Sequence, residues 1–221
     1  MASDMAVLFD VDGVLVDSYR AHYEGWLQVA PKWGFSITED QFARSFGRTS
    51  REVVRDTFGM AHLSDDQIRQ LDEEKEAAYR AIVAESFPAM EGAAELLADL
   101  RAAGVALGIG SSGPPANVAV VADRLGWHWF GAVVTGADVV RGKPDPTVYL
   151  LGAERLGMAP QRCIVIEDAP AGIEAARNAG MCSVGLASTG RTRAELHAAD
   201  LVLDSLRELS TDRLRSMLRT A

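Results

Sequence analysis

Phe9-Asp10-Val11-Asp12-Gly13-Val14-Leu15-Val16-Asp17-Ser18 is the stretch that decides how this chain is read. The apolar run Met5–Phe9 makes a strand that ends in two carboxylates spaced i, i+2. Gly13 then lets the chain turn sharply. In open α/β sheets ligands bind beyond the carboxyl ends of the strands, and Asp10 stands at such an end. Two acids this close must share a cation or take up a proton. Mg²⁺, bound by one or two carboxylates together with a substrate phosphate, suits them. The competing reading, a calcium loop, lacks the D-x-[DN]-x-[DN]-G spacing and its Glu.

Working outward, a second acidic pair, Glu167-Asp168, follows the apolar run Cys163–Ile166. An acidic pair at a strand end is by itself most often a helix cap. Strand ends in a parallel sheet share one edge, however, so this pair can meet Asp10 and join it as metal ligands. Ser111 and Ser112 follow the run Val105–Gly110 and offer hydroxyls and backbone N–H groups to an anion. Lys143 sits in Gly142-Lys-Pro-Asp-Pro146, where a cation can stabilise charge on a transferring phosphoryl group. Further strands are expected at Ala132–Thr135, Cys182–Leu186 and Leu201–Leu203. Helices are expected at Gly92–Ala103, Pro115–Leu125, Pro146–Leu156 and Ala171–Ala179. This alternation predicts an α/β fold, a Rossmann-like three-layer core around a parallel sheet.

Between the first strand and the rest, residues 18–88 carry no strand signal. Thr38-Glu-Asp-Gln41 and Thr49-Ser-Arg-Glu52 resemble capping boxes, and Ser64 can cap a long helix running toward Glu85. The expected organisation is a core of residues 1–17 and 89–221, interrupted by a helical-bundle cap domain at 18–88.

Composition bounds the function. The 221 residues are 48% hydrophobic and 24% charged, ordinary for a globular chain with a packed core. A net charge of −9, with no basic run, disfavours a nucleic-acid partner. It leaves room for a small anion held by a local cluster of cations and N–H groups. No segment approaches the roughly 18 apolar residues of a membrane span, and the N-terminus lacks a basic n-region. The cytoplasm is the expected compartment. Cys163 and Cys182 show neither metal spacing nor a disulfide framework and read as buried thiols. Gly108-Ile-Gly110-Ser-Ser-Gly113 matches a dinucleotide fingerprint, but it lies off the first strand and no acid is suitably placed beyond it. Gly136–Lys143 fails as a P-loop on spacing, with Pro144 in the Ser/Thr position.

Asp10-x-Asp12-Gly-x-x-x-Asp17-Ser18, Ser111, Lys143 and Glu167-Asp168 together resemble the four ordered motifs of the haloacid dehalogenase-like hydrolase superfamily. The match spans almost the whole chain, with the helical insert where that family carries a small cap. The resemblance implies that Asp10 attacks phosphorus to give an aspartyl-phosphate. Asp12 then protonates the leaving group and later activates water, while Ser111 and Lys143 hold the phosphoryl oxygens. It implies Mg²⁺ bound by Asp10, the backbone carbonyl of Asp12, and Asp168, with Glu167 as ligand or neighbour. A dehalogenase or phosphonate hydrolase of the superfamily is not expected to keep Asp12, so phosphate esters are favoured.

In the insert, Lys75 lies on the stripe Ile68, Leu71, Lys75, Ala78, Ile82, where a lysine either snorkels to solvent or points at something. His22 and Trp26 lie one helical turn apart. With Ser50-Arg51-Glu52 they resemble the cap positions of the beta-phosphoglucomutase and phosphoglycolate phosphatase branch. There the arginine grips a non-transferring phosphate, and the histidine and lysine couple cap closure to catalysis. Pro114 and Pro115 stand where a mutase is expected to carry a lysine and an asparagine, and Ser18 replaces a hinge threonine. The expectation is therefore a Mg²⁺-dependent phosphatase acting on a small phosphorylated metabolite, as a monomer or weak dimer. The alternatives are a phosphosugar mutase and, further off, a catalytically silent phosphate-binding module.

Overall fold

The computed structural model describes residues 3–46, 52–188 and 190–220. They divide into two compact units, residues 1–17 with 88–221, and residues 18–87.

The first unit is built on six parallel strands: β1 (Ala6–Phe9), β2 (Ala106–Gly110), β3 (Ala132–Val134), β4 (Cys163–Glu167), β5 (Cys182–Leu186) and β6 (Leu201–Leu203). Their order is β3-β2-β1-β4-β5-β6. β1 is central, with Phe9 in register with Ile109 on one side and Ile166 on the other. Asp10, Ser111 and Asp168 therefore leave the sheet side by side, since each follows a strand at the same edge. β1 and β4 are apolar along most of their length and almost entirely removed from water, as expected of strands covered on both faces. Each fully buried Leu, Ile or Phe contributes about 1.5–3 kcal/mol.

The elements meet the expected bounds to within a residue or two. Helix α4 is Ala93–Ala102, α5 Pro115–Leu125, α6 Thr147–Arg155 and α7 Pro170–Asn178. Pro115 and Pro170 occupy the first helical turn, where the missing N–H is not needed. A C-terminal helix α8 (Thr211–Thr220) has no counterpart in the sequence reading. Cys163 is buried, and burial pushes its thiol up to about 11; Cys182 is only half-buried.

The second unit holds α1 (Tyr19–Val29), α2 (Glu39–Ser45), a short π-helical turn (Val53–Thr57) and α3 (Asp65–Glu85). Its described residues contain no strand. The capping box at Thr38 is formed with Gln41. Ser64 caps α3, with Gln67 reaching back and Asp65 and Asp66 favourably placed in the first turn. The box expected at Thr49–Glu52 falls largely outside the described residues. α1 packs closely on α3, for a Cβ added at Gly25 would stand 3.3 Å from the Lys75 carbonyl. Trp26, Phe42, Val54, Ile68 and Leu71 form the core of this unit. Among the described residues, no helix is long and apolar enough to cross a membrane.

Candidate active site

Three carboxylates converge at the carboxyl edge of the sheet. Asp10, Glu167 and Asp168 are all buried and offer ligand oxygens within 4.8 Å of one another. Lys143 enters this cluster from the loop after β3. Its ammonium donates to Asp10 Oδ1 (2.5 Å), Glu167 Oε1 (2.6 Å) and the Gly110 carbonyl (3.1 Å). All three ammonium protons are thus engaged, and any further acceptor arriving at Lys143 must share or replace one of these bonds.

Glu167 is held from several directions. Its Oε1 accepts from Lys143 and from the Tyr149 hydroxyl (2.7 Å), and its Oε2 accepts from the Ala169 N–H (3.0 Å). The last bond lies just ahead of α7, but the helix takes Ala169 as its N-cap with no side-chain cap, so Glu167 belongs to the cluster and does not cap the helix. Glycines make room for the acids. A Cβ on Gly172 would fall 1.7 Å from Glu167 Oε1, and one on Gly13, where φ is +75°, would fall 2.2 Å from Asp168 Oδ2.

The electrostatics follow from burial. Burial pushes the Asp10 carboxyl up to about 7 against the pull of Lys143, with Glu167 and Asp12 adding to the rise. Burial also pushes Asp168 well above the usual carboxylate range, helped by Glu167 and Asp10 and opposed by Arg191. Burial works against the Lys143 charge, but Asp10 and Glu167 outweigh it and hold the ammonium well above the lysine range. Burial, then the charge of Glu167, lifts the Tyr149 phenol well above its usual value and keeps it a donor. Three buried carboxyl groups thus crowd around one ammonium, more acids than cations, all of them hard oxygen donors that resist ionising together without further positive charge. A hard divalent cation fits that set in charge and in donor type.

The remaining expected residues are placed as follows. The Asp12 carboxylate is half-buried and is not part of the three-acid cluster; its Oδ2 lies 3.9 Å from where a Cβ on Gly113 would be. Ser111 is buried beside it, its Oγ accepting from the Gly113 N–H at 3.0 Å. Ser112, by contrast, is exposed on the turn, because its backbone rather than its side chain packs inward against Gly136. Within the helical unit, His22, Trp26 and Lys75 do come together. Lys75 Nζ lies 2.9 Å from His22 Nδ1, 2.7 Å from Glu76 Oε1 and 5.6 Å from the centre of the Trp26 ring. Only 5% of Lys75 is exposed, so it does not snorkel. The buried stripe also turns after Lys75 toward Tyr79 and Val83 rather than Ala78 and Ile82. Arg51 and Ser50 lie outside the described residues.

Sequence reasoning missed Tyr149, Gly172 and Arg191. Tyr149 reads as one more core aromatic in α6, and Gly172 as an ordinary helix glycine. Arg191 carried a faint signal, a cation a few residues past the end of β5.

Comparison with known proteins agrees with this geometry. A family model described as haloacid dehalogenase-like hydrolase matches residues 5–180. A validoxylamine A 7'-phosphate phosphatase from Streptomyces hygroscopicus subsp. limoneus is 37% identical over 207 residues, covering 91% of this chain and 94% of its own. A phosphorylated carbohydrates phosphatase from Thermotoga maritima is 32% identical over 180 residues, with coverages of 80% and 82%. Among solved structures, a beta-phosphoglucomutase from Clostridium difficile superposes with a TM-score of 0.85 at 29% identity, covering 98% of this chain and 97% of that one.

Proposed function

The chain belongs to the haloacid dehalogenase-like hydrolases, and from that premise we propose that it hydrolyses small phosphorylated metabolites, sugar phosphates or phosphoglycolate, through an aspartyl-phosphate on Asp10. The observation that carries this reading is the meeting of Asp10, Glu167, Asp168 and Lys143 in one buried cluster at the sheet edge.

Asp10 attacks phosphorus, its carboxylate oxygen forming the new P–O bond as the bond to the leaving alkoxide breaks. Asp12, outside the cluster and half-buried, is suited to carry a proton. It gives that proton to the departing oxygen and then takes one from water. The water attacks phosphorus, releases phosphate and restores the Asp10 carboxylate. Lys143 and Ser111 hold the phosphoryl oxygens, with Ser112 contributing backbone N–H. Mg²⁺ would be held by Asp10, Asp168 and the Asp12 carbonyl, with Glu167 as ligand or neighbour, and would neutralise charge on the phosphoryl group. Residues 18–87 serve as a cap that excludes water, with His22, Trp26, Lys75 and Arg51 reading the substrate. A net charge of −9 supports a small-molecule partner over nucleic acid. A cytoplasmic monomer or weak dimer is the setting we assign.

Asp10→Asn should abolish phosphate release from p-nitrophenyl phosphate and from a panel of sugar phosphates; release at the wild-type rate would overturn the mechanism. The likeness to a mutase structure favours one second reading, phosphoryl transfer between sugar oxygens. Against it, Pro114 and Pro115 open α5 where that reaction is expected to use a lysine and an asparagine. β-Glucose 1-phosphate supplied with a trace of the bisphosphate should yield free phosphate and not glucose 6-phosphate.

A further inference from the structure

The Tyr149 hydroxyl lies outside the scheme above, yet it is fully buried and aimed at the acid cluster. Three features of the chain converge on it. Its ring fits because position 110 is glycine: a Cβ there would stand 2.8 Å from the Tyr149 Cε1 atom. Its hydroxyl donates to Glu167 Oε1 at 2.7 Å, the same oxygen that accepts from Lys143 at 2.6 Å. Its ring also lies along Lys143, with the ammonium 5.0 Å from the ring centre. On the far side, Gly172 leaves the space that the Glu167 carboxylate fills. A phenylalanine would serve the packing equally well, so the hydroxyl calls for a separate account.

We propose that Tyr149 is a positioning residue: its hydroxyl fixes the Glu167 carboxylate, and Glu167 together with the tyrosine ring fixes the Lys143 ammonium against Asp10. This rests on the reading of Asp10 and Lys143 as reacting and phosphoryl-holding groups. A carboxylate oxygen that loses one of two donors gains rotational freedom, and a misplacement of an ångström at a reacting centre is felt in turnover. Hydrogen bonds to charged groups are among the stronger ones in proteins, and the loss is expected in kcat rather than in substrate affinity.

The experiment compares Tyr149→Phe, Gly172→Ala and the double variant with the full-length wild type. Steady-state hydrolysis of p-nitrophenyl phosphate is one readout. The other is the rate of reductive methylation of Lys143 in the metal-free protein, followed by peptide mass spectrometry. Tyr149→Phe should lower kcat about tenfold, leave KM within about twofold, and methylate Lys143 several-fold faster. Gly172→Ala, which displaces Glu167 while keeping the hydroxyl, should lower kcat at least as much. In the double variant the two losses should not multiply, because both act through Glu167. A kcat for Tyr149→Phe within twofold of wild type, or losses that multiply, would overturn the proposal. Should Tyr149→Phe not fold, Gly172→Ala alone decides, and unchanged Lys143 methylation in it counts against the network. The methylation rate does not depend on catalysis. An inactive wild type with a responsive Lys143 would sink the phosphatase reading and leave the network standing.

Discussion

At Gly13 two demands meet in one residue. Its φ of +75° lies in the left-handed region, and the space a side chain would take is filled by the Asp168 carboxylate. Gly13→Ala should therefore lose about 1–2 kcal/mol from the backbone alone and also push Asp168 out of the acid cluster. Urea titration should record the first loss, and Mg²⁺-dependent phosphate release should drop by about tenfold or more. A Mg²⁺ activation curve that overlays the wild type would contradict it. The two aspartates and the glycine were legible in the sequence because strand, acids and turn are contiguous there. Tyr149 was not, because nothing in a linear reading brings position 149 to position 167. Only the parallel pairing of β1 with β4, and the seating of α6 against β2 and β1, does so.

Among the elements, α3 and the β3–α6 connection carry charge pairs that can be tested. Lys75 and Glu76 are both nearly buried and pair at 2.7 Å. Lys75→Met should destabilise the helical unit by about 3 kcal/mol by removing one partner of a nearly buried ion pair, and adding Glu76→Leu should recover part of that loss, as read by calorimetry. An unchanged stability of Lys75→Met would place the role of Lys75 outside folding. Next to β3, the Arg155 guanidinium, with the Thr135 N–H and hydroxyl, holds the Asp138 carboxyl down at about 2. The folded-state value lies below the ordinary one, so this stabilisation is complete above the usual carboxylate range and fades as pH falls toward 2. The urea midpoints of wild type and Asp138→Asn should differ most above pH 5, and the gap should narrow as pH falls from 4 toward 2. A gap independent of pH would show that the charge is irrelevant. The stripe on α3 was misread for a related reason. Over 21 residues, a pattern picked at 3-4-3-4 spacing placed Ala78 and Ile82 where the helix buries Tyr79 and Val83. α8 escaped notice because Leu214, Met217 and Leu218 are its only large apolar residues.

On the scale of the whole molecule, the crowding of three buried acids at one sheet edge ties stability to cation binding. A ligand that binds only the folded state stabilises it by about 2.7 kcal/mol at a hundred times its Kd. Mg²⁺ should therefore raise the melting temperature of the wild type. Asp168→Asn should remove most of that rise; an equal rise in both would place the cation elsewhere. The division into two units was readable as a long stretch without strand signal, yet how the chain crosses between them was not. Asp17 donates its N–H to the Pro88 carbonyl, Met90 donates to the Leu15 carbonyl, and Val16 bridges Ala89 in antiparallel fashion. Departure and return are stitched together within the sheet-bearing unit.

That stitching has a consequence for how such a chain can change over generations. The sheet-bearing unit closes its own loop at residues 15–17 and 88–90, so whatever lies between is tethered at a single doorway. The entropy of closing a longer or shorter insert grows only slowly with its length. Lineages can thus lengthen, trim or exchange residues 18–87 with little penalty to the acids of β1 and β4. The acid cluster and the helical insert are then inherited on separable stretches of one gene.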